Sequence, residues 1–170
     1  MPVDVGQAGP DFSLYDTDRQ QRTLSEFKGQ NVVIAFFPGA FTGVCTTEMC
    51  TLRDSLSQFN SMNAQVIGIS VDGAMAQKAF SDQNSLGFTV LSDFQRQVVE
   101  LYDVRLPNFA GMEGYVAAQR AVFVLDKDGV IRYKWVAESP GNEPNYDEVR
   151  QAVGQLSCVL FILRRYSEIP

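Results

Sequence analysis

Histidine is absent from the 170 residues of this chain. Its absence excludes the catalytic arrangements that depend on an imidazole, namely the Ser-His-Asp triad, the Cys-His pair of thiol proteases and the HExxH zinc helix. A nucleophilic side chain in this protein must therefore be activated by something else, such as a helix terminus or a cationic neighbour.

Cysteine is scarce, because the chain holds only Cys45, Cys50 and Cys158. Small secreted domains are stapled by an even and denser set of cysteines, so we expect these thiols to be reduced. Three thiols without histidine also fall short of the four ligands of a structural zinc site. We expect neither a metal nor another cofactor.

Basic residues are outnumbered, with 14 Lys and Arg against 20 Asp and Glu, for a net charge of -6. An acidic surface does not attract polyanions, so neither nucleic acid nor a membrane is an expected partner. The longest apolar runs, "VVIAFF" and "VLFIL", are far shorter than the roughly 20 residues of a transmembrane helix. The first ten residues lack the features of a secretory signal, and we expect a cytoplasmic protein.

The length predicts one domain over residues 1–170, of which 157–170 form a C-terminal extension. Clusters of β-branched and aromatic residues predict strands at 31–37, 65–70, 120–125 and 130–136. Helical patterns lie at 43–60, 73–84, 92–102 and 145–156. This alternation indicates an α/β fold whose first two strands are central and parallel, while Asp128-Gly129 predicts a hairpin that makes the sheet mixed.

The stretch "FFPGAFTGVCTTEMC", residues 36–50, places a cysteine where a strand passes into a helix. Pro38 and Gly39 end the extended run, and the helical pattern resumes near Gly43, so Cys45 falls in the first helical turn. Free N–H groups and the partial positive charge of a helix N-terminus favour thiolate over thiol. Ligands of open α/β sheets bind at this edge.

Each residue of this stretch also has an ordinary explanation. Thr42 is a typical helix cap, Pro38 a typical turn residue, and an isolated cysteine such as Cys45 is usually a small buried apolar residue. Their combination at one strand-to-helix junction favours a reactive site.

The segment "PGAFTGVC" resembles the P-x-x-x-T-x-x-C signature of the peroxiredoxins at Pro38, Thr42 and Cys45. Further segments are similar to that family in the expected order, over about residues 3–156: "GPDFSLYD", "LSEFKGQNVVIAFFP", "VIGISVD", "FTVLSDF" and "RAVFVLDKDGVIRY". Within the family, "FTGVC" and "SDF" are most similar to the AhpE branch, while a second cysteine five residues on is similar to the bacterioferritin-comigratory branch.

The resemblance implies a thioredoxin-like fold, with a central mixed sheet flanked by helices, and a peroxidase. Cys45 would be the peroxidatic cysteine, oxidised by a peroxide to a sulfenic acid. The active-site arginine of the family corresponds to Arg120, and Glu48 would orient this arginine or cap the helix. The expected partners are a peroxide and a thiol reductant, such as thioredoxin or a low-molecular-weight thiol.

Three routes for resolving the sulfenic acid remain open: Cys50, Cys158 and an external thiol. Residues five apart in a helix have Cα atoms about 8–9 Å apart, whereas a disulfide needs less than about 7 Å. Cys45 and Cys50 can therefore join only if the helix unwinds locally, which the weak helix propensity of "GVCTTEMCT" favours.

Two other functions compete with the peroxidase. A redox-inactive thioredoxin-like binding module would keep the fold without the chemistry, and a thiol-disulfide oxidoreductase would normally carry CxxC rather than CxxxxC. The apolar run near Cys158, followed by "RR", either packs beside the last helix or covers a subunit interface. We therefore expect a homodimer or a higher oligomer.

Overall fold

The structure is a computed structural model that describes the backbone of residues 3–166 and the side chains of residues 3–157. Over this range the strands are β1 Ser13–Asp16, β2 Gln21–Thr23, β3 Asn31–Phe36, β4 Ala64–Ser70, β5 Thr89–Ser92, β6 Arg105–Leu106, β7 Ala117–Ala118, β8 Ala121–Leu125 and β9 Ile131–Val136. The α-helices are α1 Gly43–Asp54, α2 Leu56–Ser61, α3 Ala74–Asn84, α4 Gln97–Leu101 and α5 Tyr146–Tyr166, with 3-10 helices at Leu24–Phe27 and Phe109–Gly111.

Seven of these strands form one mixed sheet in the order β2-β1-β5-β4-β3-β8-β9, and β6 pairs with β7. Strand β4 is parallel to both β3 and β5, while β8 is antiparallel to β3 and β9. The predicted α/β class with a mixed sheet is therefore confirmed, and β3 and β4 lie in the interior as expected. Gly129 has a φ of 82° at the turn between β8 and β9, a conformation that glycine adopts without strain.

Strand β3 separates two apolar clusters, because successive side chains of a strand point to opposite faces. All six of its residues are buried, as expected of a strand covered on both sides. Val32, Ile34 and Phe36 pack in one cluster, with the aromatic rings of Tyr102 and Phe123. The other cluster lies under α1, α2, α3 and α5 and includes Val33, Ala35, Phe37, Cys45, Met49, Phe59, Phe80 and Val153.

The helix predicted over 43–60 was wrong in one respect, because it is two helices separated at Ser55. The Ser55 hydroxyl donates to the carbonyl oxygen of Thr51 at 3.1 Å. Its backbone leaves the helical region, with φ -97° and ψ 0°. Serine side chains that bond to nearby carbonyls compete with the regular helical ladder, which explains the break.

The helix predicted over 92–102 was also wrong at its start, since Ser92 ends β5 and α4 begins only at Gln97. The buried carboxylate of Asp93 accepts hydrogen bonds from the backbone N–H groups of Gln97, Val98 and Val99. It thereby satisfies donors that have no partner within the helix. Strand β5 has only four residues, too short for a clear alternation of apolar and polar side chains.

The last helix continues beyond the predicted 145–156, because α5 runs from Tyr146 to Tyr166. The predicted extension 157–170 is thus helical in its first part, and residues 167–170 lie outside the described residues. The side chain of Cys158 also lies outside them. Among the helices described, none combines the length and apolar character needed to cross a bilayer.

Candidate active site

The segment before α1 is held in place by contacts from the residues after β4 and from α3. The backbone N–H of Ala40 donates to Oδ2 of Asp72, just after β4, at 2.8 Å. Phe41 has a φ of 63°, which is uncommon for an aromatic residue, and its 53% exposed side chain lies edge-on to Phe80 with ring centroids 5.3 Å apart. These contacts fix the position of the backbone just before Thr42 and the start of α1.

Cys45 is the third residue of α1, and its side chain is 1% exposed. It packs in the apolar cluster with Phe37 and Met49, on the side of α1 that faces the sheet. The first N–H groups of a helix have no intrahelical acceptors. The Cys45 sulfur therefore lies in a dry environment whose local field favours negative charge.

Arg120 immediately precedes β8, and it is as buried as Cys45, at 1% exposure. The pairing of Phe36 with Ala121 across β3 and β8 brings it to the cysteine. Its Nη2 is 3.4 Å from Cys45 Sγ, and its Nη1 donates to Oε2 of Glu48. Burial by itself lowers the pKa of Arg120, but Glu48 and Cys45 outweigh it and raise that pKa, so the guanidinium stays charged.

The guanidinium is also fixed by a backbone carbonyl. Nε and Nη2 of Arg120 donate to the carbonyl oxygen of Pro140 at 3.2 and 2.9 Å. Sequence reasoning missed Pro140, because nothing in a sequence marks a main-chain oxygen as the acceptor of a distant arginine. With these bonds the planar guanidinium is held by Pro140 on one edge and by Glu48 on the other.

Glu48, one turn after Cys45, is fully buried, and it contacts Arg120 rather than the helix terminus. Its second oxygen, Oε1, has no hydrogen-bond partner among the described residues. Burial raises the pKa of Glu48 to about 7, while the charge of Arg120 opposes this rise. Of the two roles predicted for Glu48, the geometry favours orienting the arginine.

Thr42 has the extended conformation of a helix cap, but its side chain makes no capping hydrogen bond. Its hydroxyl instead donates to the carbonyl oxygen of Gly39 at 2.9 Å. The lone pairs of this hydroxyl remain available as acceptors. Pro38 is buried at the start of the same turn.

Cys50 lies on α1 but in different surroundings, because residues five apart point in different directions around a helix. It is partly exposed, and its Sγ is 3.7 Å from Oδ1 of Asn84 at the end of α3. Cys45 and Cys50 are both free thiols within one regular helix. A bond between them requires that helix to open.

The loop at 107–119 approaches the cysteine segment, since a Cβ atom at Gly39 would lie 3.7 Å from the ring of Phe109. A polar groove of about 600 Å³ lies at the opposite edge of the sheet, beside the starts of β4 and β5. If the functional site were chosen by cavity volume alone, it would be placed in this groove rather than at Cys45. The groove, however, contains no set of buried charges comparable to that beside Cys45. Among residues 3–157 no three His, Cys, Asp or Glu side chains come together as a metal site would require.

Comparison with known proteins identifies relatives of this chain. The model of the AhpC/TSA family matches residues 5–134. Peroxiredoxin Q, chloroplastic, of Oryza sativa subsp. japonica is 40% identical over 131 residues, which are 77% of this chain and 58% of that protein. The chain therefore spans less than two thirds of the length of this plant relative.

A bacterial relative and a solved structure are matched over more of their length. Peroxiredoxin Bcp of Escherichia coli strain K12 is 37% identical over 133 residues, 78% of this chain and 85% of that protein. The crystal structure of peroxidoxin BcpB from Mycobacterium tuberculosis superposes with a TM-score of 0.78 at 28% identity, covering 92% of this chain and 98% of that one. The predicted thioredoxin-like fold is confirmed by these similarities.

Proposed function

We propose, starting from the fact that the chain belongs to the AhpC/TSA family of peroxiredoxins, that it is a thiol-dependent peroxidase acting through Cys45. Its substrates are hydrogen peroxide and organic hydroperoxides. The observation that carries the proposal is the position of the buried Arg120 guanidinium, 3.4 Å from Cys45 Sγ and paired on its other side with Glu48.

In the first step the Cys45 thiolate attacks one oxygen of the peroxide. An S–O bond forms as the O–O bond breaks, the sulfur is oxidised to a sulfenic acid, and the departing oxygen takes up a proton to leave as alcohol or water. Negative charge spreads over both oxygens in the transition state. Donors already aimed at this charge lower the barrier without reorganising.

Two donors converge on the reacting atoms: the Arg120 guanidinium and the free backbone N–H of Cys45. The hydroxyl of Thr42, whose proton is engaged by Gly39, accepts a hydrogen bond from the protonated oxygen of the substrate. Buried Pro38 offers no N–H and stiffens the turn that delivers α1. Glu48 orients Arg120.

The second step removes the sulfenic acid. A thiol attacks the oxidised sulfur of Cys45, an S–S bond replaces the S–O bond, and the hydroxyl leaves as water. We assign the thiol to Cys50, with Cys158 or an external thiol as the alternatives. A reductant, thioredoxin or a low-molecular-weight thiol, then returns both cysteines to the reduced state.

We further propose that the protein works in the cytoplasm, where thiols stay reduced, as a homodimer or higher oligomer. Exposed apolar side chains support the oligomer, among them Phe41 and Met75, which is 73% exposed. Light scattering at micromolar concentration tests this part, and a monomeric mass contradicts it.

Single-turnover oxidation tests the peroxidase. Reduced protein is mixed with one equivalent of hydrogen peroxide, and sulfenic acid is read by mass at each cysteine. We expect sulfenic acid at Cys45 first. Cys50→Ser is the matched variant, in which the oxidation of Cys45 should still occur. Stoichiometric peroxide left unconsumed by the wild-type protein contradicts the proposal and favours the binding module.

A further inference from the structure

Asn84, the last residue of α3, contacts the second half of α1 at two points. The guanidinium Nη1 of Arg53 donates to the carbonyl oxygen of Asn84 at 2.6 Å. The Cys50 thiol lies 3.7 Å from Oδ1 of the same residue. The side-chain amide is itself oriented by a bond from Nδ2 to the carbonyl of Phe80 at 2.8 Å.

The two contacts use the backbone carbonyl and the side-chain oxygen of Asn84, neither of which accepts a hydrogen bond within α3. The last carbonyls of a helix have no intrahelical donors, and a cation is favoured at this end of the helix dipole. Arg53 thus supplies a bond that the end of α3 needs. Its charge also lies near Cys50, which contributes to raising the pKa of Arg53, after the larger effect of its bond to Asp54.

The stretch of α1 that contains both cysteines is held differently within the helix. Three threonine hydroxyls donate to carbonyls four residues earlier: Thr46 to Thr42, Thr47 to Gly43 and Thr51 to Thr47. Such bonds compete with the helical ladder and slightly destabilise a helix, and threonine has low helix propensity. The part of α1 between the two cysteines is therefore weak, while its second half is tied to α3.

We propose that Asn84 and Arg53 are positioning residues that keep Cys50 in the folded helix and thereby set the rate at which Cys50 reacts with oxidised Cys45. The inference rests on the proposed function, since it requires a sulfenic acid at Cys45. Cys50 must leave Oδ1 of Asn84 before its sulfur attacks Cys45. In that step the S–S bond forms, the S–O bond breaks, and the hydroxyl leaves with the Cys50 proton as water.

The test separates oxidation from disulfide formation in Asn84→Ala. One equivalent of hydrogen peroxide is added in a stopped-flow instrument, and the Cys45–Cys50 disulfide is followed by quenching and mass measurement. The variant should form the disulfide about two- to tenfold faster, the range expected for losing one side-chain hydrogen bond. The rate of Cys45 oxidation should not change.

Arg53→Met removes the second contact and should act in the same direction. Because it also removes a charge near Cys50, its rates are compared with wild type across pH, and the acceleration should remain where the Cys50 thiol is fully ionised. Lys78→Ala is the matched control, since it breaks an exposed ion pair with Asp82 on α3. This control should leave both rates unchanged.

A second readout measures the reactivity of Cys50 by competition. With excess peroxide, the sulfenic acid of Cys45 reacts again to a sulfinic acid as another O–O bond breaks, in competition with Cys50. Asn84→Ala should lower the ratio of sulfinic acid to disulfide by the factor by which it speeds disulfide formation. A general loss of stability would also slow the oxidation of Cys45, which the positioning role leaves unchanged.

The outcomes separate the inference from the function on which it rests. Wild-type Cys45 that fails to oxidise overturns the proposed function itself. Normal oxidation with equal disulfide rates in wild type and Asn84→Ala overturns the role of Asn84 alone, as does the absence of any Cys45–Cys50 disulfide.

Discussion

Cys45 and Cys50 share one helix, yet their surroundings differ in charge, in burial and in what holds them. Cys45 faces the sheet and lies next to a buried guanidinium. Cys50 faces α3, is partly exposed, and meets a neutral amide oxygen of Asn84. The same residue type, five positions apart, thus has surroundings that suit the two different steps of the proposed function.

The comparison separates a thiol that must stay in place from one that must move. Cys45 and its arginine are fixed by parts of the chain far apart in sequence, including β8 and the carbonyl of Pro140. Cys50 is held by contacts to one residue at a helix end. A reaction whose transition state needs aligned donors favours the first arrangement. The proposed second step favours the second arrangement, because Cys50 must cross more than one helical turn to reach Cys45.

Replacing the buried thiol should have the largest effect on peroxide turnover. Cys45→Ser should abolish peroxide turnover, because a hydroxyl beside Arg120 is not ionised and does not attack the O–O bond. The measurement is peroxide consumption with a coupled thiol reductant. Consumption near the wild-type rate would show that another residue performs the chemistry.

Removing the cation should have the next largest effect. Arg120→Ala should slow Cys45 oxidation about 100- to 1,000-fold, the range found when one preorganised charged or polar donor is lost from an active site. Arg132→Ala, which breaks the pair with Asp126 at the surface, is the matched control. Equal second-order rate constants for the two variants would remove Arg120 from the mechanism.

The buried carboxyl of Glu48 predicts a pH dependence of stability. Its pKa rises from an ordinary 4.5 to about 7 on folding, so the folded state holds the proton more tightly than the unfolded state. This contribution is complete below about pH 4.5 and is lost as the pH rises through about 7, a change of up to about 3 kcal/mol.

Glu48→Gln should remove that slope. The free energy of unfolding in urea, measured at several pH values between 4.5 and 8, should fall less with pH in the variant than in the wild type. Exposed Glu138→Gln serves as the control. Parallel curves for wild type and Glu48→Gln would mean that Glu48 does not bind a proton on folding.

The smallest effect is expected at the partly exposed thiol. Cys50→Ser should leave the rate constant for Cys45 oxidation within about twofold of wild type, since Cys50 contacts none of the groups around the buried sulfur. Stopped-flow fluorescence under single-turnover conditions measures it. A large loss would show that the two thiols are coupled before oxidation.

Much of this arrangement could be predicted from local sequence, because strand-to-helix junctions follow from nearby residues. The position of Cys45 in the first turn of α1 is one example, and the hairpin at Asp128-Gly129 is another. The break at Ser55 and the late start of α4 were missed, since each depends on a side chain bonding to the backbone. At such positions a side-chain bond to the backbone competes with the regular helical hydrogen bond, and the two are similar in energy.

The residues of the site that are distant in sequence could not be predicted from local sequence patterns. Arg120 was identified through family resemblance, whereas the contact with Arg120 decides between the two roles that the sequence left open for Glu48. The contacts of Pro140 and Asn84 carry no sequence signal. One is a main-chain carbonyl, and the other depends on how α1 and α3 meet.

The pairing of β8 with β3 has a consequence for the newly made chain. Cys45 leaves the ribosome 75 residues before Arg120, and closing a loop of that length costs about 4 kcal/mol of chain entropy. Until the two strands pair, the cysteine lacks its cationic neighbour Arg120. If Cys45 acts as proposed, its sensitivity to peroxide is therefore acquired only once β8 pairs with β3, which protects the incomplete polypeptide from the oxidant.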